Sequence, residues 1–255
     1  MTFPNFPGKY EHPSIFTARD VARHRPWGEK QLPPNVIICF QRAPQEYLKR
    51  TYRGRKAGGI PADFITLKGT PVPVGVAGGF GIGAPAAVAA LESMAALGAR
   101  RFIVVGWAGG LTEDLEPGQL IVCSAALRDE GTSHHYLPPA RYAKPDAALT
   151  ACLSAALDEH GCTHLRAPTW TTDAPYRETM PEVRAYAAEG VRAVDMEAAA
   201  LFAAAQYLGV QAAAGFSVGD SLKDGAWQIG FNWYAMNLGL HRMAEAAVQA
   251  FARAG

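Results

Sequence analysis

Two carboxylates one residue apart, Asp195 and Glu197, stand at the head of the run Ala198-Ala199-Ala200-Leu201. An acid in the first turn of a helix complements the helix dipole, and Asp195 fits that structural part. Glu197 fits it less well, because its neighbours are the small apolar residues of a buried helix. An unpaired buried charge is costly, so a carboxylate there needs a partner, and a ligand hydroxyl is one. A third acid, Asp220, follows Phe216-Ser217-Val218-Gly219. Its structural reading is an N-cap ahead of a short helix at 221–225.

Three glycine clusters each follow a short apolar run. They are Gly78-Gly79-Phe80-Gly81-Ile82-Gly83, then Gly106-Trp107-Ala108-Gly109-Gly110, then Gly215 with Gly219. Glycine lets a ligand approach the backbone, and a helix N-terminus such as the one expected from Ala84 favours anions. Tight strand–helix turns would explain the first cluster alone. Three glycine-rich strand ends in one chain point to a shared crevice, where α/β proteins place ligands. Gly79-x-Gly81-x-x-Ala84 also meets the relaxed dinucleotide pattern. Such a site wants an acid at the end of the next strand, and the run at 102–105 ends in Gly106-Trp107 instead.

Other chemistry is disfavoured. His160-x-Cys162-x-His164 has alternate positions across a helix end and a strand, which do not converge on a metal, so none is expected. There is no Gly-x-Ser-x-Gly elbow and no P-loop. His134-His135-Tyr136 are pocket-lining candidates, with exposed histidines as the plain alternative.

The elements that must position these residues follow from periodicity. Runs at 36–40, 72–76, 102–105, 120–124 and 212–218 are short and apolar on both faces, as strands covered by helices on both sides should be. Helical patterns span 84–97, 146–160, 195–208 and 232–254. In the second, Leu149, Cys152, Leu153, Ala156 and Leu157 form one stripe, with Asp146 as N-cap and Gly161 past the end. Strands alternating with helices predict an α/β fold, a three-layer sandwich with a mixed, mainly parallel central sheet. No repeat or linker divides the chain. It reads as one domain over 1–255, with an irregular arm over about 1–30 that is rich in Pro and charge.

Composition sets limits. With 255 residues and 49% hydrophobic content, a sizeable core is available. A net charge of +1 is a poor footprint for nucleic acid, and no polybasic run marks a membrane surface. The alanine-rich stretch at 198–205 is too short to span a bilayer. The first residues lack an apolar run behind a basic start, so a cytoplasmic protein without signal peptide is expected. Cys39, Cys123, Cys152 and Cys162 lack CxxC spacing and read as reduced thiols.

Asp195-Met196-Glu197-Ala198-Ala199 resembles the Glu-Met-Glu-Ser/Ala-Ala signature of the nucleoside phosphorylase/uridine phosphorylase superfamily. Gly81-Ile82-Gly83-Ala84-Pro85 resembles that family's Gly-Ile-Gly-x-Pro-Ser turn. Arg128-Asp129-Glu130-Gly131-Thr132-Ser133 resembles a loop of its uridine phosphorylase-like branch. Thr171-Thr172-Asp173-Ala174-Pro175-Tyr176 resembles the segment that covers the base. Their order and spacing over 75–222 make the match specific.

The resemblance implies roles. Glu197 would accept hydrogen bonds from the ribose 2′- and 3′-hydroxyls, and Met196 would pack on the sugar. Such contacts orient the ribose and favour the positive charge of an oxocarbenium-like transition state. Tyr176 would stack on the base and Arg177 would reach its edge, with Gly109 and Trp107 lining the pocket. Asp220 resembles the aspartate of the purine-cleaving branches, which protonates the leaving base, although Gly219 replaces the usual Ser. Gly81, Gly83, Arg42 and Arg128 are the candidates for holding phosphate. His12 or His24 of a neighbouring subunit would reach the 5′-hydroxyl.

The departures are specific. The first strand end reads Cys39-Phe40-Gln41-Arg42-Ala43-Pro44 where phosphorylases carry Gly-Asp-Pro-x-x-Arg. Their strand Arg corresponds to Val104, and their phosphate Ser or Thr to Trp107. Gly106-Trp107-Ala108-Gly109-Gly110 is closer to the Gly-x-Ala-Gly-Gly of the family's nucleosidases, whose N-terminal Glu is not evident. The leading expectation is a nucleoside phosphorylase that cleaves a purine or pyrimidine nucleoside with phosphate. It would need no cofactor and form a homo-oligomer, a dimer or hexamer. A nucleosidase using water and a non-catalytic nucleoside-binding protein are the alternatives.

Overall fold

A computed structural model of the protein describes residues 6–25, 28–58, 62–223, 226–229 and 232–254. Its strands are β1 (Asn35–Cys39), β2 (Arg55–Ala57), β3 (Asp63–Thr66), β4 (Val74–Gly78), β5 (Arg101–Gly110), β6 (Leu120–Asp129), β7 (Tyr142–Ala143), β8 (His164–Thr172), β9 (Ala193–Asp195), β10 (Gln211–Lys223) and β11 (Ala226–Ile229). Its helices are α1 (Ala18–Arg23), α2 (Arg42–Thr51), α3 (Ala84–Ala96), α4 (Ala147–Glu159), α5 (Met180–Ala188), α6 (Ala198–Leu208) and α7 (Trp233–Arg253).

Successive strand residues part to two cores, as the two-residue period requires. Val36 and Ile38 of β1, with Phe102 and Val104 of β5, pack with α3 and α6. Ile37, Cys39, Ile103 and Val105 pack with α4 and α7. This produces the expected three layers, and it explains why these runs are apolar at every position.

The sheet is mixed. β1 lies between β4 and β5, and β5 next to β10, all parallel. β6–β8 and β8–β9 are also parallel, while β5–β9 and β6–β10 are antiparallel. Because β10 pairs with both β5 and β6, the path β5-β9-β8-β6-β10 closes on itself. Strands β1 to β4 form an open wing beyond β5, while β7 pairs with β6 and β11 with β10. The ring brings Gly109 of β5 between Val194 of β9 and Asp220 of β10.

The helix ends carry the expected punctuation. Asp146 accepts the amide of Leu149 at 2.8 Å, and Gly161 follows α4 with a φ of 64°. Gly209 closes α6 in the left-handed region, where a Cβ would be strained. α6 starts at Ala198 rather than at the expected Asp195, which ends β9. The arm, expected to be irregular, contains α1, capped reciprocally by Thr17 and Asp20. The expected short helix at 221–225 is not formed as far as Lys223, where β10 continues; residues 224 and 225 lie outside the described residues. Among the described residues no helix is long and apolar enough to cross a membrane.

Candidate active site

A cavity of about 500 Å³ opens where β1, β5 and β10 end. That is within the size range of small-molecule sites, roughly 300–1,000 Å³. The cavity is lined by Phe40 and Gln41 after β1, Ile82 of the glycine loop, and residues 107–110 of β5. Residues 194–197, Pro175 and Glu178, and Gly219 with Asp220 line it too, with Val194 and Asp220 the sheet partners of Gly109. Trp227, Trp233 and the buried Met236 complete the lining. A larger hollow of about 1170 Å³ lies between the N-terminal arm, α3 and α6, away from these strand ends.

The two acids at the head of α6 have different surroundings. Asp195 is buried and fully engaged. It accepts the hydroxyls of Thr169 and Thr171 at 2.7 and 3.0 Å and the amides of Glu197 and Ala198 at 2.9 and 2.8 Å. It thus serves as the cap of α6, a structural part. Glu197 is 5% exposed and lines the cavity. Its Oε1 accepts the amide of Gly83 at 2.8 Å. Burial, then the Asp195 carboxylate, pushes its carboxyl up to about 8. Met196 is half-buried on the same wall.

Asp220 reaches the cavity through a bulge. Ala108 pairs with Val218 and Gly109 with Asp220, so Gly219 is the extra residue on β10. Such a bulge re-aims the side chain that follows it. A Cβ on Gly109 would stand 3.0 Å from both Asp220 Oδ1 and Val194 Cγ1, so only glycine leaves this space. Asp220 Oδ2 accepts the indole N–H of Trp227 at 2.5 Å. Glu178, which the sequence reading passed over, also lines the cavity and is half-buried. Burial, then the charges of Asp220 and Glu182, pushes it up to about 7.

The glycine loop enters with Gly79, Gly81 and Gly83 at φ values of 71°, 104° and 92°, a path open to glycine. Gly83 is buried with its amide already on Glu197. Gly81 and Gly83 themselves do not line the cavity; Ile82 between them does. Trp107 and Gly109 do line it. Trp107 Nε1 and Gln41 Oε1 are both buried without a hydrogen-bond partner among the described residues. Val104 is wholly buried among the apolar residues facing α3 and α6.

Two phosphate candidates are corrected. Arg128 is buried away from the cavity, with its guanidinium committed to the loop that follows β6. Nε donates to Ser133 Oγ at 2.8 Å, Nη1 to the Pro138 carbonyl at 2.7 Å and Nη2 to the Leu137 carbonyl at 3.2 Å. Arg42 is exposed in the first turn of α2 and does not line the cavity. The lining carries four carboxylates and, among the described residues, no Lys, Arg or His.

Tyr176 and Arg177 are also not brought in. Tyr176 is 98% exposed and Arg177 is exposed. The single 3₁₀ turn Pro175–Arg177 explains this, because in that geometry residues three apart eclipse one another. Pro175 and Glu178 therefore share the cavity side, and the two residues between them do not. His12 and His135 line the larger hollow instead, where His135 Nδ1 meets Lys9 Nζ at 2.8 Å. His134 lies beside Arg128, and His24 contacts the carbonyl of Asp20 within its own helix. Neither of these lines the cavity at the strand ends.

Residues 40–252 match the family described as the phosphorylase superfamily. The chain is 36% identical over 146 residues to a guanosine phosphorylase of Halorubrum lacusprofundi, covering 57% of this chain and 60% of that protein. It is 32% identical over 180 residues to a uridine phosphorylase of Treponema pallidum, covering 66% and 69%. Its fold is similar to the crystal structure of uridine phosphorylase from Vibrio fischeri ES114, with a TM-score of 0.77 and 25% identity over 87% of this chain and 92% of that one.

Proposed function

The chain belongs to the phosphorylase superfamily, and we propose that it transfers the pentosyl group of a nucleoside from the base to phosphate. The products are the free base and ribose 1-phosphate. The observation that carries this reading is Glu197, a buried carboxylate in the wall of a strand-end cavity with one oxygen on the Gly83 amide. A group so placed suits the paired hydroxyls of a ribose, with Met196 against the sugar. Asp220 and Glu178 then mark the base end, and residues 107–110 line the space between.

The relatives' names support both purine and pyrimidine nucleosides as substrates. For the phosphate we assign the backbone at Ile82, the residue of the glycine loop that lines the cavity, and the unpartnered indole N–H of Trp107, since a dianion needs several donors and the Gly83 amide is already on Glu197. We read the protein as a cytoplasmic homo-oligomer of one-domain subunits acting in nucleoside salvage. A neighbouring copy is a natural source for the cation that the described lining lacks.

Hydrolysis is the second reading. The lining of four carboxylates, with no cation among the described residues, favours it, because water is neutral and asks only for an acceptor such as Gln41 Oε1. A panel of purine and pyrimidine nucleosides, assayed with and without phosphate for free base and for the sugar product, tests both. Base release that requires phosphate and yields ribose 1-phosphate supports phosphorolysis. Undiminished release of free ribose without phosphate supports hydrolysis. Binding without turnover would leave a nucleoside-binding protein.

A further inference from the structure

Four carboxylates line one cavity with no cation among the described lining residues, so their partners decide which of them is free to give a proton to a bound base. Asp195 accepts two hydroxyls and two amides, so both its oxygens are committed to the scaffold, and burial pushes its carboxyl up despite those bonds. Burial pushes Glu197 up to about 8, so it too can hold a proton, but its Oε1 is on the Gly83 amide and it faces the sugar rather than the base in the reading above. Asp220 accepts the Trp227 indole N–H at its Oδ2. Glu178 stands apart. Among the described residues no hydrogen-bond donor or cation is aimed at it. The charged groups around it are Asp220 from β10 and Glu182 from the first turn of α5, both acids. Arg177, next to it in the chain, is exposed and outside the lining.

From this arrangement we propose that Glu178 is the catalytic acid that protonates the leaving base, with Asp220 as the neighbouring carboxylate that keeps the proton on it. The inference rests on the glycosidic-cleavage reading given above. In the step, the C1′–N bond breaks and its electron pair moves onto the base. The Glu178 proton passes to a nitrogen or oxygen of the base, which leaves neutral. An oxygen of phosphate forms the new bond to C1′. Glu178 is left as a carboxylate and regains its proton from solvent. The position of the group agrees: it eclipses Pro175 on the cavity side of its turn, at the end of the cavity shared with Asp220. Its upward shift to about 7 places the acid form near neutral pH, where a general acid is most effective.

The test compares wild type, Glu178→Gln and Asp220→Asn on two substrates across pH. One substrate is the best natural nucleoside from the panel. The other is p-nitrophenyl riboside, whose leaving group needs no protonation. Expected for Glu178→Gln is a loss of roughly 100-fold or more on the nucleoside, little loss on the nitrophenyl substrate, and disappearance of the alkaline limb of kcat/KM. For Asp220→Asn the alkaline limb should move to lower pH, because removing the neighbouring charge eases ionisation of Glu178. If Glu178→Gln does not fold, Glu178→Asp should fold and keep the limb at a lower rate. Equal losses on both substrates, or a selective loss in Asp220→Asn alone, would overturn the assignment. If the wild type releases base from no nucleoside, the functional reading falls with it. Normal wild-type turnover with an unaffected Glu178→Gln removes only the role of Glu178.

Discussion

Glu197 Oε1 accepts the backbone amide of Gly83 across 114 positions of sequence. The bond ties the loop after β4 to the head of α6, so two segments named independently by the sequence meet at one atom pair. It also holds a cavity carboxylate in place from behind. Changing Glu197 to Gln keeps the side chain's size and an oxygen for Gly83 but replaces the ionisable carboxyl with an amide that cannot become the anion the oxocarbenium-like transition state favours. Turnover should fall by roughly two orders of magnitude or more, as losing an electrostatic group in a dry site typically does. The check is kcat/KM alongside thermal unfolding. Near-normal turnover in a folded variant would remove the sugar-binding role.

The same group has a signature in stability. Glu197 is held near 8 in the folded chain against an ordinary value of 4.5. Between those values the folded state binds more protons than the unfolded one, so stability falls as pH rises. Its contribution is fully present below about pH 4.5 and is lost as pH passes through about 8. Tm of the wild type should therefore decline from pH 5 to pH 8 more steeply than that of Glu197→Gln, which has no proton to lose. Parallel Tm–pH curves would show that the burial of Glu197 is relieved in solution.

Asp195 should behave differently from its neighbour. Asp195→Ala leaves the hydroxyls of Thr169 and Thr171 and the amides of Glu197 and Ala198 short of an acceptor. Buried groups without partners cost about 1–3 kcal/mol each, less where they find water or one another. A loss of roughly 2–3 kcal/mol in urea unfolding is expected, together with lost turnover, because α6 then positions Glu197 poorly. Lost turnover with unchanged stability would make Asp195 a reacting group rather than a cap.

How much of this was legible in the sequence follows from the physics of each element. β1, β4, β5, β6 and β10 were visible because both faces are buried and the runs are almost entirely apolar, Ser124 and Ser217 apart. β8 was not, because Arg166 is exposed and Pro168 interrupts it. Pro168 is tolerated at the register break where Ala167 pairs with Cys123 and Thr169 with Ala126. β9 has three residues, too few to show a period. Met196, Glu197, Trp107, Gly109 and Asp220 could be named as candidates from their local runs, and the structure brings these five to one cavity. Glu178 and Tyr176 sit two residues apart on a single turn, and only the turn's geometry decides which enters. Trp233 reaches the site from α7, over 100 residues after the strand it faces, where it packs on Trp107 at 5.6 Å.

Gly109→Ala tests the bulge. The added methyl would meet Asp220 Oδ1 and Val194 Cγ1 at 3.0 Å, so one or both must move by a few tenths of an ångström. Displacing a catalytic-site carboxylate on that scale, in a site where a misplacement of about 1 Å costs roughly 100-fold, should lower kcat by several-fold or more. Thermal stability should fall only modestly, since β5 keeps its ladder. Unchanged kcat would mean that the position of Asp220 against β5 does not matter to turnover.

Arg128 offers the clearest separation of a binding residue from a scaffold residue. Its sequence context, ahead of Thr132 and Ser133, invites a phosphate role. In the fold its donors reach Ser133 and the carbonyls of Leu137 and Pro138, which closes the loop after β6. Lysine would keep the charge but not the planar fork that serves these separate acceptors at once. Arg128→Lys should therefore lose roughly 2–3 kcal/mol of stability as the loop's carbonyls go without donors. KM for phosphate, measured below the variant's Tm, should stay within about two-fold, because the guanidinium does not reach the cavity. A tenfold rise in that KM with unchanged Tm would be the opposite pattern. It would require the loop to open in the working enzyme and Arg128 to leave its three partners for the substrate.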